Sequence, residues 1–359
     1  MTHNPAATPF QLGATTLPNR LVMAPMTRSR ATEGELATPD TARYYRQRAG
    51  AGLIVSEAIH PGPQGRTYVD LPALHTAEQV ESWRAVTAAV HAEGGRVHAQ
   101  LMHGGRIGPA ELRGGRPPLG PSAVAAPGTA LTRRGWVPNE APDAMTEEQV
   151  LAAVADHATA ARNAIAAGFD GVQVHGANGY LVQQFLCADA NTRTDRWGGP
   201  ARNRVRFAVE VARAVADVVG PERTSLRISP GSTLKGIREA GTDELYAELL
   251  DRLDGVLGFL DVVEGRTTRP LVRRLRDRWR GTFLLNPFQD DGAVAPHDAV
   301  RDALDLGADL VGLGRPWLAN PDLPDRIARG GPYNRPDPTT YFGGGPLGYL
   351  DYPRLDGVA

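Results

Sequence analysis

The sequence contains almost no cysteine and no long hydrophobic run. Cys187 is the only cysteine among 359 residues, which excludes an internal disulfide framework and a metal site built from several thiolates. No apolar stretch approaches the roughly 20 residues that a membrane-spanning helix needs. The opening residues, MTHNPAATPF, lack the basic and apolar regions of a signal peptide. From these absences we expect a cytoplasmic protein.

The chain also lacks an excess of charge of either sign. It has 39 basic and 40 acidic residues and a net charge of −1, so no overall field attracts nucleic acid or an anionic membrane. One basic run, RRLRDRWR at 273–280, is best interpreted as the solvated face of a helix. We therefore expect a small-molecule ligand, with no nucleic-acid or membrane partner. The sequence leaves the oligomeric state open.

Eight short apolar segments recur along the chain, and each precedes a loop and a helical pattern. Because the segments are almost continuously apolar, they are typical of parallel strands buried on both faces. Eight strand–helix units predict a (β/α)8 barrel; a doubly wound sheet is the alternative, and the count of eight disfavours it. The predicted strands are LVMAP (21–25), GLIVSEA (52–58), GRVHAQL (95–101), DGVQVHG (170–176), TSLRIS (224–229), FLDVVEG (259–265), TFLLN (282–286) and ADLVGLG (308–314).

The chain is longer than a plain barrel, which needs about 250 residues. Helical patterns at 146–168, 241–255 and 296–307 fit the barrel, but three other regions do not. They are a segment rich in Gly, Pro and Ala after the third strand, 103–145, the opening residues 1–19, and an irregular tail, 331–359. Long loops in compact domains are usually functional, so we expect 103–145 to form a lid or a pocket wall. We expect residues 1–359 to form a single domain.

Polar residues gather at the carboxyl ends of the predicted strands, where the loops of a barrel converge. A hydroxyl, an amide and a guanidinium around one opening suit a planar heterocycle. Glycine followed by arginine suits a phosphate, because backbone N–H groups and a guanidinium can both bind its oxygens. These features suggest flavin mononucleotide (FMN) at the barrel mouth. The residues are Pro25, Met26 and Thr27, Ala58, Gln100, Arg227, Gly314 and Arg315.

The segment VHGANGYL (174–181) places His175, Asn178 and Tyr180 between glycines, directly after the fourth predicted strand. The two glycines permit a tight bend. The polar residues are therefore either incidental members of a turn or parts of one active site. In the second interpretation, two donors hold a substrate atom and the third residue delivers a proton.

Six segments of the chain resemble the Old Yellow Enzyme family, whose members are FMN-dependent ene reductases on a (β/α)8 barrel. The resemblance extends from about residue 8 to residue 353 and is most specific between HGANGY and RTD. It implies FMN as cofactor, NAD(P)H as reductant, and activated C=C bonds of α,β-unsaturated carbonyl or nitro compounds as substrates. The segments are NRLVMAPMTRSRA (19–31), YYRQRAGAGLIVSEA (44–58), FDGVQVHGANGYLVQQFL (169–186), NTRTDRWGG (191–199), GRPWLANPDL (314–323) and GYLDYP (348–353).

The resemblance also implies roles for the residues that would bind FMN. Thr27 and the backbone of Ala58 would bind the flavin O4 edge, and Gln100 would bind the pyrimidine edge. Arg227 would lie near N1 and O2, where a fixed cation favours the reduced flavin. The pair Gly314-Arg315 would bind the phosphate.

The same resemblance implies that the HGANGY segment forms the catalytic site. His175 and Asn178 would donate hydrogen bonds to the carbonyl or nitro oxygen of the substrate and polarise its double bond. Tyr180 would protonate the α-carbon, because its ordinary pKa near 10 keeps it protonated at neutral pH.

Three positions depart from the family's usual pattern. Met102 stands where many relatives have tryptophan, which predicts a larger or softer pocket wall. Phe342 stands where many have a second pocket tyrosine. Pro287 stands in a turn whose backbone donates to the phosphate in relatives, and proline has no N–H to donate. We expect Met102 and Phe342, together with Tyr68, to contact the substrate.

Two other functions are compatible with the same barrel. One is a flavin-dependent isomerase or dehydrogenase of a biosynthetic pathway, which the presence of Tyr180 as a proton donor disfavours. The other is a flavin-binding protein without turnover of enones. A metal site is not expected, because Glu57 and His60 have helical ligand spacing but lie on a strand end and a loop.

Overall fold

A computed structural model describes residues 5–289 and 294–355, and its centre is a closed barrel of eight parallel strands. Strands that follow one another in the chain are neighbours in the barrel, and the first and eighth strands pair to close it. The predicted (β/α)8 barrel is confirmed, and each strand lies within two residues of its expected bounds. The strands are β1 (Leu21–Met23), β2 (Leu53–Ile59), β3 (Val97–Leu101), β4 (Gly171–Gly176), β5 (Thr224–Ile228), β6 (Phe259–Val263), β7 (Thr282–Asn286) and β8 (Leu310–Leu313).

Eight helices surround these strands. They are α1 (Pro39–Gln47), α2 (Ala77–Ala92), α3 (Glu147–Ala166), α4 (Arg206–Val219), α5 (Thr242–Leu253), α6 (Arg269–Arg278), α7 (Pro296–Asp305) and α8 (Leu323–Arg329). Shorter helices lie at Leu181–Leu186, Ala201–Arg204 and Arg315–Ala319, and 3-10 turns at Pro5–Ala7, Pro63–Gly65, Ala110–Arg113, Pro221–Arg223, Leu234–Gly236 and Pro338–Thr340. In the described part of the chain, no helix combines the length and the apolar character needed to cross a membrane.

The helix ends follow from local side-chain chemistry. Thr38, Thr76 and Thr146 each form a capping box with the residue three positions later, which satisfies two free backbone N–H groups at each helix start. The basic run on α6 is a solvated face, as predicted. Its Arg274 Nη2 lies 2.8 Å from Asp243 Oδ1, and both side chains are exposed.

Two apolar clusters hold the barrel together. The larger one lies between the strands and the helices and includes fully buried aromatic side chains such as Trp83, Phe185 and Trp317. The smaller one joins residues at the amino ends of the strands to a hairpin formed by Phe10–Leu12 and Thr15–Leu17. The hairpin therefore covers the amino-terminal end of the barrel. The carboxyl end stays available for a site.

The segment after β3 is more ordered than a simple loop. It contains an antiparallel hairpin of Thr129–Thr132 and Gly135–Pro138, and a short parallel pair of Leu119–Gly120 and Asp143–Ala144. The buried Arg106 holds this segment to the barrel, because its guanidinium donates to the carbonyl of Val124 at 3.2 Å and also to the loop after β5. The hairpin reaches the carboxyl end of the barrel.

The C-terminal tail folds back over the same end of the barrel. The buried guanidinium of Arg28 donates to the carbonyls of Tyr341 and Gly348 at 3.0 and 3.1 Å. It also lies 5.1 and 5.0 Å from the ring centroids of Tyr44 and Tyr349. Arg28, together with Arg30, which donates to the carbonyls of Thr340 and Gly345, thus fixes the tail beside the opening. Residues 356–359 of the predicted tail lie outside the described residues.

Candidate active site

A cavity of about 540 Å³ opens at the carboxyl end of the barrel. Most of the residues predicted to act in catalysis or binding line it, although they come from many parts of the chain. Arg227 and Gly314 are not among its lining residues. The predicted residues that line it are Pro25, Met26, Thr27, Ala58, Tyr68, Gln100, Met102, His175, Asn178, Tyr180, Arg315 and Phe342.

The turn after β4 is shaped by backbone conformations that few residues adopt. Asn178 and Gly179 have φ values of 56° and 81°, and a Cβ atom at Gly179 would lie 2.9 Å from the carbonyl oxygen of Leu234. Hydrogen bonds hold the turn. The backbone N–H of Asn178 donates to Ser229 Oγ at 2.9 Å, and that of Gly179 donates to Gln183 Oε1 at 2.8 Å. These contacts fix the backbone of the turn that carries Asn178 and leads from His175 to Tyr180.

His175 is a buried and neutral histidine in this cavity. Its ring centroid lies 5.1 Å from that of Tyr180. Burial, together with the positive charges of Arg227 and Lys235, lowers its pKa well below the ordinary value. A neutral imidazole donates from one nitrogen only. Within the described residues its Nδ1 has no hydrogen-bond partner.

Tyr180 is a buried phenol paired with a second phenol. Its hydroxyl oxygen lies 3.2 Å from that of Tyr68. Burial raises the pKa of Tyr180 well above its ordinary value. The hydroxyl therefore carries its proton at neutral pH. The arrangement can supply a proton to an atom in the cavity.

A chain of polar side chains crosses the barrel beneath the cavity. Gln100 Nε2 donates to Gln173 Oε1 at 2.8 Å, and Gln173 Nε2 donates to Asp261 Oδ2 at 3.0 Å. Arg227 donates to the same Asp261 oxygen at 2.5 Å and to Asn286 Oδ1 at 2.7 Å. The side chains of Gln100 and Arg227, which lie toward opposite ends of this chain, are thus held in fixed orientations.

The ion pair in this chain is almost completely buried. The side chains of Arg227 and Asp261 are 5% and 1% exposed. Burial raises the pKa of Asp261 despite the opposing effect of Arg227. In the described structure, Arg227 Nε and Asp261 Oδ1 have no hydrogen-bond partner. Such buried polar atoms are costly unless a ligand pairs with them.

The strand ends where a phosphate is expected combine a glycine and an arginine. Gly314 precedes the short helix Arg315–Ala319, and a Cβ atom there would lie 3.7 Å from Met26 Sδ. Arg315 lines the cavity. On the neighbouring strand, Pro287 has no N–H, and the N–H of Phe288 donates to Glu264 Oε2 at 3.0 Å. The turn after β7 therefore offers neither of these two amides to a ligand.

The opening of the cavity is apolar. Trp136 of the hairpin and Phe342 of the tail are 57% and 47% exposed, and their ring centroids lie 6.4 Å apart in an edge-on arrangement. Met102 is buried and packs in one cluster with Tyr180 and Tyr68. The hairpin and the tail thus meet above the predicted substrate residues.

Sequence reasoning missed several residues of this site. Gln173, Asp261 and Asn286 are polar side chains within otherwise apolar strands, and that contrast was the available signal. Lys235 lines the cavity, and it is the only lysine among the 39 basic residues of the chain. Its rarity in the sequence is the signal that distinguishes it from the arginines.

Known proteins resemble the chain along almost its whole length. Residues 7–334 match the model of the NADH:flavin oxidoreductase / NADH oxidase family. A probable flavin mononucleotide-dependent alkene reductase of Leishmania infantum is 39% identical over 97% of this chain and 96% of that protein. 12-oxophytodienoate reductase 1 of Oryza sativa subsp. japonica is 35% identical over 99% of this chain and 94% of that protein.

Solved structures have the same fold. An old yellow enzyme homologue from Zymomonas mobilis superposes with a TM-score of 0.93 at 36% identity, and covers 98% of this chain and 99% of its own. Morphinone reductase in complex with tetrahydroNAD gives a TM-score of 0.91 at 40% identity, with 98% of each chain covered.

Proposed function

The chain belongs to the NADH:flavin oxidoreductase / NADH oxidase family, and from that premise we propose which of its residues perform the reaction. It is an FMN-dependent oxidoreductase that reduces activated C=C bonds of small molecules with NAD(P)H. The residues of the site and their roles are our proposal. So is an α,β-unsaturated carbonyl or nitro compound as the substrate.

The residues at the barrel mouth fit FMN. Thr27, Ala58 and Gln100 would hold the flavin edges, Arg227 would face N1 and O2, and Gly314-Arg315 would hold the phosphate. Two features support this. Arg227 Nε is an unpartnered donor, and Gln100, whose Nε2 donates to Gln173, has its Oε1 left as an acceptor. The flavin edge has carbonyl oxygens for the first and an N–H group for the second. When bound, FMN supplies the hydride that adds to the β-carbon of the substrate and is itself reduced by NAD(P)H.

His175 and Asn178 would bind the carbonyl or nitro oxygen of the substrate. Negative charge develops on that oxygen during reduction, and donors already in place stabilise it most in a site that excludes water. The neutral state of His175 suits this role, because one ring nitrogen can donate without a full positive charge being buried. The backbone N–H of Asn178 donates to Ser229 Oγ and its carbonyl accepts from Lys235 Nζ, and these two bonds keep its position fixed.

Tyr180 would give its hydroxyl proton to the α-carbon. A general acid must be protonated at the working pH and within reach of the atom it protonates. The raised pKa of Tyr180 meets the first condition, and its place on the cavity wall beside His175 supports the second. Tyr68 would stabilise the oxygen that loses the proton by donating its own hydrogen bond.

The observation that carries this proposal is the convergence of His175, Asn178 and Tyr180 on one cavity with most of the proposed flavin residues. An anaerobic spectrum in two steps tests it. NAD(P)H should bleach the flavin absorbance of the holoenzyme, and 2-cyclohexenone should restore it with formation of cyclohexanone. Bleaching without recovery would contradict enone reduction and favour an isomerase or dehydrogenase on the same barrel.

A further inference from the structure

The only lysine of the chain lies in the active-site cavity. Lys235 is in the turn Leu234–Gly236 after β5, with a left-handed backbone at φ 56° and ψ 31°. Such a conformation is uncommon for a residue with a side chain. A distant residue stabilises this conformation, because Nη2 of the buried Arg106 donates to the carbonyl of Lys235 at 3.0 Å. The backbone of Lys235 is therefore held in a defined place.

The ammonium group of Lys235 lies beside the proposed catalytic residues. Its Nζ donates to the backbone carbonyl of Asn178 at 3.2 Å and lies 4.5 Å from the centroid of the Tyr180 ring. The centroid of the His175 ring lies 5.1 Å from that of the same Tyr180 ring. Among the described residues, no carboxylate forms an ion pair with it. Burial without such a partner lowers its pKa to about 8.

The charged residues of the cavity wall are all positive. They are Arg28, Lys235 and Arg315, and no Asp or Glu is found among the described residues that line the cavity. Arg28 is engaged by carbonyls of the tail, and we assign Arg315 to the cofactor phosphate. Lys235 is the remaining cation, and it lies on the side of Tyr180 and Asn178, where the substrate is expected.

We propose that Lys235 is an anion-binding subsite, and that the enzyme prefers unsaturated ketones or aldehydes that also carry a carboxylate. The carbonyl would bind at His175 and Asn178 while the carboxylate pairs with the ammonium of Lys235. A partly buried cation that lacks an anionic partner gains more from such a pair than a solvated one does. The inference rests on the proposed function of the same site.

The test compares two substrates that differ in charge, trans-4-oxo-2-pentenoate and its neutral primary amide. For the holoenzyme and two variants, kcat/KM is measured for each compound. In Lys235→Met the acid-to-amide ratio of kcat/KM should fall by about tenfold or more, which corresponds to roughly 1.4 kcal/mol. Lys235→Arg, which keeps the charge, should retain most of the preference. A smaller fall in Lys235→Met would overturn the proposal.

A binding measurement separates this inference from the reaction itself. Because the chain has one lysine, an amine-reactive reagent can label only Lys235 and the chain's amino terminus. Levulinate, the saturated product, should protect Lys235 of the wild-type holoenzyme from labelling, and levulinamide should protect it much less. Equal protection by both would overturn the anion site. If neither pentenoate compound is reduced, the proposed reaction fails while the labelling still decides the role of Lys235.

Discussion

The hydroxyl oxygens of Tyr68 and Tyr180 lie 3.2 Å apart, although 112 positions separate the two residues in the chain. Burial is the largest cause of the raised pKa of both phenols. When Tyr180 loses its proton to the substrate, Tyr68 is the group placed to donate a hydrogen bond to the resulting oxygen. The pair thus allows a buried phenol to act as an acid although burial opposes its ionised form.

The two proposed donors should contribute mainly to the transition state. Replacing His175 or Asn178 with Ala removes one donor to the substrate oxygen, and we expect kcat/KM for 2-cyclohexenone to fall by about 10²–10³-fold for each. Steady-state kinetics with saturating NAD(P)H measures this. Retention of flavin by the variants is the control for folding. A change of less than a few fold in both variants would refute the assignment.

The reaction of the reduced enzyme with a neutral enone should not depend on pH near neutrality. The pKa of His175 is held well below its ordinary value and that of Tyr180 well above. Between about pH 6.5 and about pH 7.5, His175 therefore stays neutral and Tyr180 stays protonated. Single-turnover rates measured by stopped flow should be constant over this range. An acid limb near pH 6.5 would show that His175 titrates there and is not held neutral.

Met102 should determine the shape of one cavity wall. It is fully buried beside Tyr68 and Tyr180, so Met102→Trp places a larger, rigid ring against the substrate. We expect lower activity on bulky cyclic enones, or a changed product configuration, with small enones affected less. Chiral chromatography of products from a 2-methyl- or 3-alkyl-cyclohexenone series measures both. An unchanged substrate range and configuration would mean that residue 102 does not contact the substrate. Met102→Leu, which is similar in volume, serves as the matched control.

The phosphate end of the cofactor site should depend strongly on Arg315. Pro287 cannot donate a backbone hydrogen bond, and the next amide is bound by Glu264. Arg315→Met should therefore raise the dissociation constant of FMN by at least about tenfold, the loss expected for one charge-assisted bond. Fluorescence of released flavin measures this. Unaltered FMN retention in Arg315→Met would place the phosphate elsewhere.

The strands of the barrel could be predicted because each is buried on both faces and is almost continuously apolar. The positions of His175, Asn178 and Tyr180 could be predicted because they follow a strand end in one short segment. The composition of 103–145 predicts only a long Gly- and Pro-rich segment, and not the hairpin of Thr129–Thr132 and Gly135–Pro138 within it. Its alternating residues and the left-handed Gly135, at φ 100°, are the features that form it.

Contacts between strands could not be predicted from single segments. Gln100 meets Gln173 because the register of β3 and β4 places them side by side, and Arg227 meets Asp261 for the same reason in β5 and β6. The sequence indicates that each residue is polar but not which residue faces it. Lys235 reaches Tyr180 through the path of the loop after β5, which depends on Arg106 of a distant segment.

The role of Tyr180 as the proton donor is tested most directly by single-turnover kinetics. Holoenzyme is reduced anaerobically with NAD(P)H and mixed with 2-cyclohexenone, and the return of the flavin absorbance is followed. Tyr180→Phe should slow this return by about 10²–10⁴-fold, the usual contribution of a positioned acid, while the rate of reduction by NAD(P)H stays near that of the wild type. Tyr68→Phe keeps the proposed proton donor Tyr180, so the rate of this return should fall far less. Reoxidation of Tyr180→Phe by 2-cyclohexenone at the wild-type rate would contradict the mechanism.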